Sequence, residues 1–150
     1  MKQDMTLHPI QLMDVTIHKL DLVINDPRFA RDYEGELSLN IEIGRSDFSA
    51  DDPDINIGLR VQTEPITENS GSSEEECVPP FSIEVEIQGH FHINLSEFPE
   101  EHVEEWAKIN APFLLLPYAR EQVYGLAIRA GIRGLLFPLF VQPRATPKKI

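Results

Sequence analysis

The sequence is poor in basic residues and in cysteine. It contains 13 lysines and arginines against 25 aspartates and glutamates, which gives a formal net charge of −12. Binding to a phosphate backbone needs clustered Lys and Arg, so this imbalance argues against a nucleic-acid partner and favours basic protein partners. The single cysteine, Cys77, excludes an internal disulfide and is typical of a reducing compartment. We expect it to be a loop thiol.

Long apolar runs are also missing. No stretch reaches the roughly 18 apolar residues of a membrane span, and the N-terminal segment lacks the apolar core of a signal peptide. We therefore predict a cytoplasmic protein that does not insert into a membrane. The 150 residues predict a single domain. Within residues 1–150, we expect flexible ends at 1–9 and 142–150 and a mobile acidic loop at 68–80.

Motifs of catalysis and metal binding are absent from the sequence. There is no Gly-rich phosphate loop, no nucleophile elbow and no His-Glu-x-x-His helix. His90 and His92 lie two apart on one strand face, close enough to share a metal ion. No third ligand is fixed by the sequence, and two histidines on a wet strand are more often plain surface. The sequence therefore predicts no enzyme, no bound metal and no cofactor.

Four segments alternate between apolar and polar residues. Three are clear, at 37–43, 55–61 and 81–95. Between Ile10 and Ile24 the alternation changes phase twice, after Leu12 and after Ile17, which predicts a bulge or bend near each change. Turns link consecutive strands with no helix between them. The predicted sheet is a four-stranded antiparallel meander with one apolar face and one wet face.

Helical patterns follow the strands. Residues 96–110 predict a short acidic helix that carries Val103 and Trp106 on one side. A long helix is predicted to start at Leu116–Pro117, because proline is tolerated in a first helical turn. Gly131 and the residues after it predict its end near Ala130. The predicted fold class is α+β, a sheet covered by a crossover segment and one long C-terminal helix.

One face of the long helix carries small side chains. They recur at spacings of three and four, and they suit either packing on the chain's own sheet or a helix-to-helix contact between subunits. We assign the following residues to a predicted oligomer interface: Ala119, Val123, Ala127 and Ala130.

The stretch Leu-Leu-Leu-Pro-Tyr-Ala-Arg-Glu (114–121), followed by an apolar helix, a glycine-punctuated turn and Leu-Phe-Pro (136–138), resembles the SecB family of export chaperones. The resemblance implies a chaperone that needs no ATP or cofactor, holds unfolded or export-bound polypeptides in an apolar groove, and assembles as a tetramer or a dimer. It also implies the translocation motor SecA as a partner at the outer face of the sheet. The family continues into a second amphipathic helix, whereas here Pro143 and Pro147 follow almost at once, so we predict that this last helix is lacking.

Two surfaces are candidates for these roles. On the wet sheet face, carboxylates of the strands predict a docking patch for a basic partner, at Glu42, Glu84 and Glu86. Around the helices, apolar side chains that exceed the needs of a small core predict a client-binding surface. These are Phe98, Trp106, Phe113, Leu115, Leu135, Phe137, Leu139 and Phe140.

Three functional classes remain open at this point. The first is a general holdase for unfolded polypeptides, and the second is a dedicated chaperone or adaptor for one partner such as an antitoxin. The third is a small-ligand-binding domain or an enzyme on the same sheet. Many unfolded bound chains would favour the first class, one specific partner the second, and an ordered ligand in a closed apolar pocket the third.

Overall fold

A computed structural model describes residues 4–64, 66–68, 75–77 and 79–140, with the backbone alone for 66–68 and 75–77. The predicted flexible end at 142–150, and the part of the predicted mobile loop at 69–74 and 78, lie outside the described residues. At the other end, His8 Nδ1 accepts a hydrogen bond from the Ile10 N–H at 3.0 Å, and the Pro9 carbonyl accepts one from the Asn94 N–H at 2.8 Å. The strands and helices follow one another along the chain as β1 (Ile10–Ile24), α1 (Pro27–Arg31), β2 (Glu34–Glu36), β3 (Leu39–Arg45), β4 (Asp54–Thr63), β5 (Ile66–Glu68), β6 (Glu75–Cys77), β7 (Phe81–Ile93), a short 3-10 turn (Glu100–His102), α2 (Val103–Ile109), α3 (Ala111–Arg129) and β8 (Gly134–Leu136).

The main sheet has four antiparallel strands in the order β1-β7-β4-β3. The α+β class and the four-stranded antiparallel sheet are thus confirmed, but the strand order differs from a simple meander. β3, β4 and β7 do follow one another across the sheet, whereas β1 lies beside β7. The reason is the connection after β1, which contains α1 and β2 and is fixed next to the start of β7. Its first N–H groups, those of Asn25 and Asp26, both donate to the Pro80 carbonyl at 2.8 and 2.9 Å.

The two predicted phase changes of β1 are β-bulges. The register against β7 shifts between Leu12 and Asp14 and again between Ile17 and Lys19. Each bulge takes up one extra residue, Met13 or His18, so that the apolar side chains on either side of it stay on one face of the sheet. The alternating pattern of the strand is therefore consistent with its pairing along its whole length.

The core lies between one face of this sheet and the helices. Residues on that face of the two central strands are buried, from Ile55 to Val61 on β4 and from Phe81 to Ile93 on β7. From the other side, Leu115, Ala119, Val123 and Ala127 of α3 complete the core. The predicted helical cover of the apolar face is confirmed.

The long helix starts earlier than the sequence predicted. It begins at Ala111, so that Pro112 is the proline of its first turn and Pro117 lies inside the helix. Helix α2 runs almost directly into α3, because Asn110 between them keeps a helical backbone. Pro117 is exposed, and solvent is therefore available to the carbonyl that loses a hydrogen bond there.

The end of α3 agrees with the prediction. Gly131 has a φ of +83°, and its N–H donates to the carbonyl of Ile128 at 3.1 Å. The next N–H, of Ile132, reaches back to Ala127 at 2.9 Å. Together these bonds form a Schellman motif, which needs a residue that tolerates a positive φ. The chain then turns and forms β8, which pairs parallel with β2.

Candidate functional site

The apolar face of the sheet is wider than the helix that covers it. A helix is about 10 Å across and neighbouring strands are about 4.8 Å apart, so one helix covers only two or three strands. Here α3 packs mainly on β7 and β4. On the outer strands, Ile17 and Leu20 of β1 remain 44% and 40% exposed, and Ile43 of β3 remains 50% exposed. Two apolar margins are therefore open to solvent on the same face as the core.

The margin on β3 continues into a cleft. Leu39, Ile41 and Ile43 lie along the strand on the apolar face, opposite Thr63, Val61 and Leu59 of β4. Just beyond the strand there is an open cleft of about 770 Å³, with half-buried Phe48 and buried Val103 among its lining residues. We call the β3 margin and this cleft together the β3 groove.

The rim of the cleft is acidic. Its lining includes Asp47, Glu100, Glu101 and Glu104 against one cation, Arg45. Arg45 at the end of β3 forms an exposed ion pair with Glu104 of α2 at 3.0 Å. The β3 groove thus has an apolar floor along the sheet and a negative rim at one end.

Four of the predicted client-binding residues are core residues in this structure. Trp106 packs edge-on against Phe91 with ring centroids 5.0 Å apart, and Leu115 is fully buried over Gly89. Leu135 and Phe137 are likewise buried. In this conformation their side chains are not free to contact a client, because they fill the space between the sheet, the helices and β2.

The other predicted client-binding residues remain accessible. Phe98 and Phe113 are half-buried against the core, whereas Leu139 and Phe140 are exposed. The margin residues of β1 and β3 were not singled out from the sequence. Strand alternation shows which face a side chain occupies, but the exposure of Ile17, Leu20 and Ile43 depends on how far the helix reaches across the sheet.

The wet face of the sheet carries the predicted acidic residues together with two cations. Arg60 lies between two of them, with its guanidinium 2.6 Å from Glu86 and 3.0 Å from Glu42. Lys19 donates to Glu84 at 2.8 Å, and this hydrogen bond lowers the pKa of Glu84 and raises the pKa of Lys19. The three carboxylates therefore lie near one another on the wet face, and cations on β1 and β4 partly neutralise them.

His90 and His92 share a carboxylate. Nδ1 of His92 lies 2.6 Å from Asp54, and Nε2 of His90 lies 3.3 Å from the other oxygen of the same residue. The hydrogen bond with His92 lowers the pKa of Asp54. Among the residues that the structure describes, no group of three or more potential ligands is arranged to hold a metal ion.

The face of α3 predicted for a subunit contact is largely buried in the chain's own core. Ala119, Val123 and Ala127 are buried against the sheet, and only Ala130 at the helix end is exposed. The opposite side of the helix carries a second apolar row that points to solvent. Leu114, Tyr118 and Ile128 on it are all exposed. We call these three residues the outward row.

Comparison with known proteins identifies the family. The profile of the SecB family, "Preprotein translocase subunit SecB", matches residues 24–140. Among solved structures, the Mycobacterium tuberculosis SecB-like chaperone Rv1957, in complex with a ChAD peptide from the HigA1 antitoxin Rv1956, superposes with a TM-score of 0.61. The two sequences are 17% identical, and the match covers 91% of this chain and 94% of the other.

Two further comparisons add no functional information. A protein of unknown function from Streptococcus agalactiae matches with a TM-score of 0.44 and 14% identity, over 87% of this chain and 97% of that one. No curated protein matches the sequence significantly.

No helix in the described part of the chain is both long and apolar enough to cross a bilayer. On the strength of the profile match and the shared fold, the chain belongs to the SecB family.

Proposed function

We propose that this protein is an ATP-independent chaperone, a holdase that binds unfolded or export-bound polypeptides in extended form. The observation that carries the proposal is the uncovered apolar margin of the sheet, above all Ile43 and the β3 groove beside it. Family membership supports the same role. Binding of this kind needs no cofactor, because burial of apolar surface is non-directional and accepts many sequences.

The β3 groove suits an extended chain for a second reason. β3 is an outer strand of the main sheet and pairs only with β4 in the described part of the chain. A client segment laid beside it gains main-chain hydrogen bonds, and its alternate side chains reach the apolar margin. Burying the exposed half of one aliphatic side chain contributes only about 1 kcal/mol, so stable holding requires several such contacts along the client.

A dedicated chaperone is the second candidate. The structural neighbour from M. tuberculosis is a SecB-like chaperone in complex with a peptide from an antitoxin. A single peptide partner of this type would use the same β3 groove, whose acidic rim at Asp47 and Glu100–Glu104 favours a segment with a basic residue next to apolar ones. Peptide pull-down distinguishes the two candidates, since a general holdase retains many unfolded chains and a dedicated one retains a single species.

We also propose an oligomeric state and a cellular compartment for this protein. We place the protein in the cytoplasm, as the single cysteine and the family indicate, and as a homo-oligomer, a tetramer first and a dimer second. The outward row of α3 supports a contact between copies, since it leaves three apolar side chains in water on one chain. Docking of SecA is proposed at the wet face, where carboxylates outnumber the cations Lys19 and Arg60.

One substitution pair tests the holdase proposal. Ile43→Glu puts a charge into the β3 groove, and Val23→Glu puts the same charge on the opposite face of the sheet at a strand residue of matched exposure, 48% against 50%. Both variants should fold, because both side chains are half-exposed. Ile43→Glu should lose suppression of the aggregation of a chemically unfolded substrate, and Val23→Glu should keep it. A wild-type protein that fails to suppress aggregation would contradict the proposal.

A further inference from the structure

The segment from Gly134 to Phe140, called the strap here, is held onto the domain in an extended form. Its β8 part pairs parallel with β2, and the Leu37 N–H donates to the Leu136 carbonyl at 3.0 Å. The next residue, Phe137, donates its N–H to the Tyr124 hydroxyl of α3 at 3.1 Å. The backbone of the strap is thus held on both sides, by β2 and Leu37 on one side and by the Tyr124 hydroxyl of α3 on the other.

From Gly134 to Phe137 the side chains of the strap alternate between the domain and solvent. Leu135 and Phe137 are buried, with the Phe137 ring beneath the Arg120 guanidinium at 5.6 Å. Leu136 between them is exposed. The alternation ends there, since Leu139 farther on is 82% exposed. An extended segment that places every second side chain in a pocket and uses its backbone for the remaining contacts is bound as a peptide is bound in strand addition.

The surface beneath the strap is formed by β2, Leu37, Arg120 and Tyr124, and we call it the strap seat. The strap does not satisfy it completely. Nε of Arg120 is buried and makes no hydrogen bond within the described chain. A buried donor without an acceptor is costly, so an occupant that presented a carbonyl or carboxylate oxygen there would gain a hydrogen bond that the strap does not make.

The hold of the strap on its seat is limited. Pairing with β2 extends over three residues. At the first of them, Gly134, there is no room for a side chain. A Cβ at Gly134 would lie 2.7 Å from the Tyr33 carbonyl oxygen, which belongs to the backbone and cannot turn aside. Leu135 and Phe137 leave their pockets when the strap opens, so the strap gives way only when a client supplies equivalent side chains in exchange.

We propose that the strap seat is a second polypeptide-binding site, occupied at rest by the chain's own strap and taken over by an extended client segment of the pattern aliphatic-x-aromatic. The pattern follows from the present occupant, whose Leu135 and Phe137 fill the two pockets. The proposal rests on the chaperone function proposed above. It adds that a client competes with an internal segment at this place, separately from the β3 groove.

A reversible lock tests the proposal. Glu36 and Leu136 are opposite each other in the β2–β8 pairing and both are exposed, so Glu36→Cys with Leu136→Cys, in a Cys77→Ser background, should form a disulfide that fixes the strap. The probe is a fluorescent synthetic peptide with the sequence of residues 134–140 and a lysine tag. The oxidised protein should bind this peptide at least tenfold more weakly than the reduced protein, a difference easily resolved by fluorescence anisotropy.

An opening variant gives the opposite prediction. Gly134→Ala should displace the strap and tighten peptide binding about tenfold. Gly125→Ala is the matched control, because a Cβ there meets only the end of the Arg129 side chain at 4.0 Å, and it should bind as the wild type does. Equal peptide affinity in the oxidised and reduced forms would overturn the strap proposal.

The two proposals fail in different ways. If the oxidised lock still suppresses aggregation through the β3 groove and binds the peptide unchanged, only the strap proposal is wrong. If neither the wild type nor any of these variants binds the peptide or suppresses aggregation, the chaperone function itself is contradicted.

Discussion

Gly89 of β7 and Leu115 of α3 are in direct contact at the centre of the core. A Cβ at Gly89 would lie 2.6 Å from Leu115 Cδ2 and 2.9 Å from the Phe91 ring. Leu115 is fully buried, so any shift of its side chain must displace neighbouring core side chains. The absence of a side chain at position 89 therefore sets how closely the long helix approaches the sheet, and with it how much of the apolar face stays open.

Gly89→Ala should destabilise the fold. Overpacking of this kind typically costs about 1–3 kcal/mol, since the helix must shift or Leu115 must leave its rotamer. Chemical denaturation should show a lower midpoint with an unchanged slope. Gly58→Ala is the matched control on the neighbouring strand, because the nearest atom to its Cβ is the Gly44 carbonyl oxygen at 3.9 Å. It should be neutral or slightly stabilising, and an equal loss in both variants would contradict the packing argument.

The loss of folding stability at acidic pH should depend on Asp54. The hydrogen bond with His92 lowers the pKa of Asp54 in the folded state, so the unfolded state binds this proton more tightly. The stabilisation is therefore present above the usual aspartate pKa of about 3.9 and is lost as the pH falls through the lower folded pKa. Urea midpoints measured from neutral to acidic pH should decline in the wild type.

Two variants should reduce this decline. Asp54→Asn removes the titrating group, and His92→Gln removes the histidine that lowers its pKa. Both should give a shallower loss of stability on acidification than the wild type. A decline of unchanged steepness in both would show that other carboxylates account for it.

The strand pattern predicted much of the fold because each strand is half-buried. The two bulges of β1 are visible as phase changes in its alternation, and the register confirms them at Met13 and His18. The place of β1 beside β7 was not predictable in the same way. It depends on the connection from Asn25 onward, whose hydrogen bonds to Pro80 join segments far apart in the sequence.

The helices show a second limit of sequence reasoning. Pro117 suggested a helix start, but Pro112 occupies the first turn and the helix continues through Pro117 on its exposed side. Helix α3 is apolar on two sides, and the spacing alone does not tell which side meets the sheet. The small row with Ala119 and Ala127 is the core side, and the row with Leu114 and Ile128 is the outward one.

The outward row should mediate contact between copies. Leu114→Glu with Ile128→Glu places charges on this face without touching the core, so folding should be preserved and assembly lost. Light scattering should give a mass above the 17.1 kDa of one chain for the wild type and close to it for the variant. Ala119→Glu is the contrasting variant, since a buried charge there should unfold the chain. A wild-type mass equal to that of one chain would contradict the predicted oligomer.

The central claim is that clients lie in the β3 groove, on the margin that the long helix leaves uncovered. It is tested most directly by a photo-crosslinking amino acid placed at Ile43 or, as the control, at Val23 on the opposite face, with a chemically unfolded substrate added before irradiation. Mass spectrometry of the products should show abundant crosslinks to the substrate from position 43 and few from position 23. Equal crosslinking from the two positions, or crosslinking from position 23 alone, would contradict the account.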